Sequence, residues 1–235
     1  MSDIKPITIY GLGRGPNPRK VLILCEELNI PYNAIPVDNP KEESFQKINP
    51  NGRIPAIEDP NTGITLWESG AIIEYLVETY DKEHKLTFTT EPEKWHLKQY
   101  LHFQMSGQGP YYGQVCHADD GAKHKLTVRK AYWFEKYHPE PVQSAKDRYA
   151  EQVARVIGVL DKILQGKEYL VGDKCGLFST YADLAFIPWN LGAPSIGDLW
   201  EKYDIENKFP NYIAWQNRLM ARPAVARIEA PDKKE

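Results

Sequence analysis

Cysteine is scarce in this sequence of 235 residues: Cys25, Cys116 and Cys175 stand far apart, with no Cys-x-x-Cys pair and no zinc-ligand spacing. That argues against a disulfide scaffold. The three thiols read as buried or half-buried side chains of a reducing compartment, so the expectation is a cytoplasmic protein. The six histidines form no ligand cluster, and no metal is expected. No stretch approaches the roughly 18 apolar residues of a membrane-spanning helix, and no apolar leader precedes the first expected strand. An excess of one charge is lacking too. With 29 Lys and Arg against 32 Asp and Glu, the net charge of −3 offers nothing to hold nucleic acid or an anionic membrane. No internal repeat or low-complexity segment is visible. What remains is a composition of 42% hydrophobic and 26% charged residues, that of a globular chain with a real core.

Periodicity divides the chain into two unlike halves. Ile4 to Tyr10 alternates as a strand, Gly11 to Pro18 is punctuated by glycine and proline, and Val21, Leu22, Leu24, Cys25 and Leu28 recur at helical spacing. Tyr32 to Val37 is a second strand, so the opening is a βαβ unit with a parallel pair and a right-handed crossover. After an irregular stretch come a strand at Ile54–Glu58, the Pro60-Asn61-Thr62-Gly63 turn, a strand at Ile64–Leu66 and a helix from Ala71 to about Tyr80. The order βαβ, loop, ββα is that of a thioredoxin-like domain, residues 1–81. A polar stretch without apolar period, 82–92, reads as a linker. From 93 to 235 only helical patterns recur: Trp95 to Gln108, with a break or kink expected at Gly107–Pro110; Val142 to Gln165; a helix capped by Thr180-Tyr181-Ala182-Asp183; and Pro210 to Met220, stopped at Arg222-Pro223. The charged tail from Ala230 is expected to fray.

Two stretches carry chemistry. In Arg53-Ile54-Pro55-Ala56-Ile57 a proline leads a strand, where it has no N–H for the ladder. A cis Ile54–Pro55 bond would turn the backbone N–H and C=O of Ile54 outward, ready to pair with an extended peptide. In Trp67-Glu68-Ser69-Gly70-Ala71 an acid and a hydroxyl open a helix whose first N–H groups and dipole favour an anion. Together they suit a small acidic peptide.

Asn17, Ile54-Pro55, Glu68-Ser69 and Thr180-Tyr181-Ala182-Asp183, in that order, resemble the soluble glutathione transferases over nearly the whole chain. Within them, the fungal nitrogen-regulator (prion protein) type and the bacterial nu class are most similar. Gly15-Pro16-Asn17 with Lys20-Val21, Asn49 to Ala56, Trp67 to Ile72, Phe103-Gln104, Ser106-Gly107, Gly109-Pro110, Gly113-Gln114 and Asp147-Arg148-Tyr149 carry that likeness. Gly15 departs from the nu pattern, which often has Thr there. The prion member's Asn/Gln-rich extension does not precede Ile4, so prion behaviour is not expected.

The resemblance implies glutathione as substrate, a homodimer, and an electrophile or disulfide as second substrate. It places Asn17 where most members carry Tyr, Ser or Cys. An amide is no base, but its NH₂ can donate to a sulfur anion; taken alone, an Asn at a helix start is an N-cap. Glu68 and Ser69 would hold the ammonium and carboxylate of the γ-glutamyl group, though alone they are helix-capping residues. Ile54 and Pro55 would pair with the cysteinyl part. Asn51 and Arg53 would reach the glycyl carboxylate, or else line a solvated loop. Arg148 resembles an arginine that approaches glutathione from the helical half, or is a surface charge beside Asp147. Met105, Tyr111, Tyr112 and His117 are candidates for the acceptor pocket, while Thr180 and Asp183 belong to folding. The implied activity is glutathione conjugation or glutathione-dependent disulfide reduction. The alternatives are a glutathione-sensing regulator without turnover and a domain that only dimerises.

Overall fold

A computed structural model describes residues 4–12, 15–115, 139–140, 142–172, 179–195 and 198–229. Cys116, His117, Cys175 and the tail from Ala230 lie outside them. Strand β1 (Ile7–Tyr10) is central, and the sheet order is β2-β1-β3-β4. It runs parallel to β2 (Tyr32–Ile35) with Ile7 opposite Tyr32, and antiparallel to β3 (Ala56–Asp59) with Tyr10 opposite Ala56. β4 (Ile64–Trp67) closes the hairpin, Ala56 facing Trp67. This is the thioredoxin-like half expected from the sequence.

Proline trims β1, β2 and the start of β3 relative to their apolar patterns, while β4 runs one residue past the expected Leu66 to Trp67. Pro6 has no N–H, and the Lys5 backbone pairs with the Asn61 side chain instead of a ladder, through Lys5 N–H to Oδ1 at 2.9 Å and Asn61 Nδ2 to Lys5 O at 2.9 Å. Pro36 ends β2. The Ile54–Pro55 bond is cis, and β3 starts only at Ala56.

Helix α1 (Pro16–Leu28) begins with prolines inside its first turn, where their missing N–H groups have no helical partner to lose. It ends at Asn29, left-handed at φ 52, with Ile30 N–H on Cys25 O at 2.9 Å. Buried residues run almost without a gap from Pro18 to Cys25, because α1 lies between the sheet layer and the helical half. One continuous core extends from Ile7 and Ile9 through α1 to Trp215. A short α2 (Glu43–Gln46) puts Phe45 against Tyr10 on the other face of the sheet, and α3 (Ser69–Tyr80) starts two residues before the expected Ala71.

In the helical half, α4 (Glu93–Phe103) does not break at the glycines. A π-helical turn (Gln104–Gln108) carries the chain into α5 (Gly109–Val115), with Gly109 N–H on Gln104 O. The shift to i→i+5 bonding absorbs Pro110, which has no N–H to give. The long α6 (Gln143–Ile163) accepts the start of a later helix: Asp161 Oδ1 takes Asn211 N–H at 2.8 Å and Tyr212 N–H at 3.0 Å.

Helix α7 (Tyr181–Asn190) is buried throughout except Trp189, and carries the expected capping box. The fully buried Asp183 accepts from Thr180 N–H and Oγ1, both 2.8 Å, Leu170 N–H at 2.9 Å and Trp215 Nε1 at 2.9 Å. After short helical turns α8 (Leu199–Lys202) and α9 (Ile205–Lys208) comes α10 (Pro210–Met220). Helix α10 ends at Met220, before Arg222-Pro223, as expected. A further helix, α11 (Pro223–Glu229), lies along α1, tied by Arg222–Glu27, Arg227–Glu26 and Arg19–Glu229 ion pairs. The 82–92 stretch has neither helix nor strand, yet Leu86 is buried and its C=O accepts Tyr181 N–H at 2.9 Å. No helix among the described residues is long and apolar enough to cross a membrane.

Candidate active site

The start of α1, the loop before β3 and the start of α3 converge at one end of the sheet. Gly11, at φ +121, closes β1, and a Cβ there would stand 2.9 Å from Ile54 Cβ and 3.0 Å from Pro18 Cγ. Only glycine lets the cis-proline loop and the first turn of α1 come this close. The loop itself is held by the buried Asn49, whose Nδ2 donates to Arg53 O at 2.5 Å and whose Oδ1 accepts Asn51 N–H at 3.0 Å. Lys41 Nζ donates to Asn51 O at 3.0 Å. The Ile54 backbone N–H and C=O make no bond among the described residues, while Pro55 is buried behind them. The side chains of Asn51 and Arg53 are exposed.

Glu68 precedes α3 with φ +72, a left-handed conformation that costs a non-glycine residue about 1–3 kcal/mol and tends to persist at functional sites. Its side chain is exposed and makes no bond among the described residues. Ser69 follows at the first helical position, 2% exposed, its hydroxyl 3.6 Å from Met105 Sδ. An acid in solvent and a hydroxyl at an unspent helix N-terminus are thus one residue apart.

Asn17 is not the N-cap of α1. Gly15 takes that place, and Asn17 is the second helical residue. Its Oδ1 instead accepts the indole N–H of Trp189, from α7, at 3.0 Å. With Oδ1 engaged, the amide orientation is determined and the Nδ2 donors make no bond among the described residues. Gly113 on α5 gives the indole room, since a Cβ there would stand only 3.3 Å from the Trp189 ring. Gly113 serves the site although it is not in it.

Beneath Ser69 lies Lys20, 2% exposed. Its Nζ donates to Gln104 Oε1 at 2.6 Å, Ser69 Oγ at 3.4 Å and Met105 Sδ at 3.7 Å. Burial pushes its pKa down to about 7, with the Glu68 charge pulling the other way.

The structure therefore brings together Asn17, Ile54, Pro55, Glu68 and Ser69. Asn51 and Arg53 border the loop. Arg148 is exposed in the second turn of α6 and makes no bond to any of these among the described residues. Two acceptor-pocket candidates sit elsewhere: Tyr112 is core, and Met105 packs under Ser69 and Gly70. Tyr111 stacks near Tyr149 and Arg155. Sequence reasoning missed Trp189 as a partner and Lys20 as a site residue. The one signal for Lys20 is a charge three residues after Asn17, at the head of the apolar run Val21-Leu22-Ile23-Leu24. Trp189 has no such signal, being 172 residues away. Among the described residues no three His, Cys, Asp or Glu side chains could share a metal ion.

The chain joins a thioredoxin-like half with a cis-proline to a helical half, and both halves match models of one family. The glutathione S-transferase N-terminal domain model matches residues 15–79 and the C-terminal domain model residues 122–223. The chain belongs to the glutathione S-transferase family. The glutathione S-transferase-like protein gedE of Aspergillus terreus is 44% identical over 239 residues, covering 97% of this chain and 96% of that protein. The glutathione transferase URE2P6 of Phanerochaete chrysosporium, solved with oxidized glutathione, has a TM-score of 0.80 at 42% identity, covering 97% of this chain and 96% of that one. URE2P5 from the same organism, cocrystallized with 1-(S-glutathionyl)-2,4-dinitrobenzene, has a TM-score of 0.78 at 37% identity, covering 97% and 94%.

Proposed function

We propose that the protein is a glutathione transferase that stabilises the glutathione thiolate with Asn17, conjugating electrophiles or reducing glutathione-linked disulfides. The observation that carries this reading is the Trp189–Asn17 hydrogen bond, which leaves the amide with donors only to offer at the N-terminal turn of α1. A thiol of pKa about 8.5 needs a shift of roughly 1.5 units, near 2 kcal/mol, to be half ionised at pH 7. One hydrogen bond to a charge, about 1.5–3 kcal/mol, together with a helix N-terminus at about 0.3–1 kcal/mol, is enough. In this reading Ile54 pairs with the cysteinyl backbone, Glu68 and Ser69 hold the γ-glutamyl group, and Asn51 and Arg53 reach the glycyl carboxylate. The exposed Arg148 closes over the ligand from its own or the partner subunit. The URE2P6 and URE2P5 complexes support it, since those proteins bind oxidized glutathione and a glutathionyl-dinitrobenzene conjugate.

The working unit in this proposal is a cytoplasmic, metal-independent homodimer, each chain divided into a glutathione half (1–81), a linker (82–92) and a helical half (93–235). Sedimentation at micromolar concentration tests the dimer, against a monomer of 27.0 kDa. The alternative is a regulator that binds glutathione without turning it over, which the same fold can host. Calorimetry with glutathione, followed by assays with 1-chloro-2,4-dinitrobenzene and a hydroxyethyl disulfide, separates the two. Binding with turnover of either substrate supports the transferase, and binding without turnover of either supports the regulator.

A further inference from the structure

Lys20 is expensive where it is: an ammonium taken out of water in a helix whose neighbours are Val21, Leu22, Ile23 and Leu24. A methionine or leucine would fill that volume without the desolvation cost. The surroundings show what the charge is held for.

From Lys20 a file of buried amides runs across the boundary between the two halves. Lys20 Nζ donates to Gln104 Oε1 at 2.6 Å, and Gln104 Nε2 to Gln108 Oε1 at 2.8 Å. Gln108 Nε2 donates to Asn190 Oδ1 at 2.6 Å and to Phe186 O at 3.2 Å, and Asn190 Nδ2 to Gln216 Oε1 at 2.8 Å. Every carbonyl oxygen in the file faces Lys20, and every NH₂ faces away. A lysine ammonium can only donate, so it orients the first amide, and each amide then orients the next. Dipoles aligned head to tail reinforce one another and favour a positive charge at their head. Gln104 and Gln108, four residues apart, share one face of this helical turn and so stand on the same file.

At the head of the file stands Ser69. Lys20 donates a hydrogen bond to the Ser69 oxygen, so the Ser69 hydroxyl proton is left to point elsewhere, at present to the weak acceptor Met105 Sδ. Next to it, Glu68 presents a negative charge in solvent. Below about pH 7, where Lys20 is protonated, the floor of the site is therefore a pair of opposite charges, Glu68 outside and Lys20 beneath Ser69. Its complement is an α-amino acid head group, ammonium toward Glu68 and carboxylate toward Ser69.

We propose that Lys20 is a positioning residue for the α-carboxylate of a bound γ-glutamyl group, acting through Ser69, and that the amide file favours its charged form for this task. The proposal rests on the glutathione reading given above. It makes the site selective for ligands with a free α-amino acid head, independently of thiol chemistry.

The test uses two ligands in calorimetry with the full chain: S-methylglutathione, in which the thiol is blocked, and the same peptide with 4-aminobutyryl in place of γ-glutamyl, which lacks only the α-carboxylate. Lys20→Met should weaken S-methylglutathione binding about tenfold to a hundredfold, as for one charge-assisted hydrogen bond, and leave the weaker binding of the 4-aminobutyryl peptide unchanged. Equal loss for both ligands, or no loss for either, overturns the proposal. If wild-type protein binds neither ligand, it is the glutathione reading that fails. Should Lys20→Met not fold, Gln104→Met removes the first acceptor and keeps the lysine. It should again weaken only the ligand that carries the carboxylate, and an equal effect on both overturns the proposal in the same way.

Discussion

Replacing Asn17 separates an amide that donates to sulfur from an amide that only shapes a helix end. Asn17→Ala removes both the unspent Nδ2 donors and the acceptor of the Trp189 indole N–H, which lies 3.0 Å from Oδ1. The first loss acts on the thiolate, worth about 1.5–3 kcal/mol, or one to two units in the pKa of bound glutathione. The second leaves a half-buried indole N–H near the opening of the site, at a cost to stability of about 1 kcal/mol. Turnover at pH 6.5 should therefore fall roughly tenfold to a hundredfold, with a much smaller change in glutathione affinity. Asn17→Asp sharpens the test. It is nearly isosteric and keeps the indole bond, but sets a negative charge beside the sulfur, so it should be worse than Ala in rate despite better packing. Trp189→Phe should fall between wild type and Ala, since it leaves the donor but frees the amide to turn. The readout is the ultraviolet absorbance of bound thiolate against pH, run beside kcat and KM. If Asn17→Ala leaves the thiolate titration where it was, or if Asp equals wild type, the donor role is refuted.

Glu68→Gln should raise the KM for glutathione at least tenfold with little change in kcat, because Glu68 acts on a part of the substrate that does not change during reaction; a kcat defect at unchanged KM would contradict this. Cys25 is fully buried and its thiol is pushed up to about 12, first by desolvation and then by the Glu26 charge, so Cys25→Ala should retain activity in folded protein. A folded but inactive Cys25 variant would make it the nucleophile instead. Asp59 is subject to burial, which raises its pKa, but hydrogen bonds from Tyr75 at 2.6 Å, Tyr80 at 2.5 Å and Asn61 prevail and lower it. A carboxylate held below its unfolded value contributes stability that is present above about pH 4 and lost as pH falls through its folded value. Tyr80→Phe should accordingly destabilise by about 1.5–3 kcal/mol at pH 7 and by much less near pH 2, read as urea midpoints at the two pH values.

What the sequence determined by itself is whatever depends on neighbours along the chain. The alternation of Ile7 to Tyr10, the helical repeat of α1, the turn before Ile64 and the Thr180–Asp183 box are each set by a few adjacent residues, and each appears where its pattern stands. The points at which the strands begin and end were legible in outline only, since Pro6 and the cis Ile54–Pro55 bond trim the apolar runs. Likewise, Ile54-Pro55 and Glu68-Ser69 stood out because X-Pro bonds and helix starts are local signals, whereas Asn17 stood out only through the family resemblance. For Arg148, its neighbours in sequence say nothing of which face of α6 meets the site; the structure leaves it exposed on that helix. The tertiary structure alone decided that Trp189 would set the Asn17 amide, that Met105 would lie under Ser69, and that Lys20 would be buried at the head of a file ending at Gln216. Those contacts join positions 26 to 172 residues apart, and a buried polar side chain takes its orientation from whichever partner the packing of the two halves puts within hydrogen-bond reach. No periodicity in one segment encodes the polar groups of another.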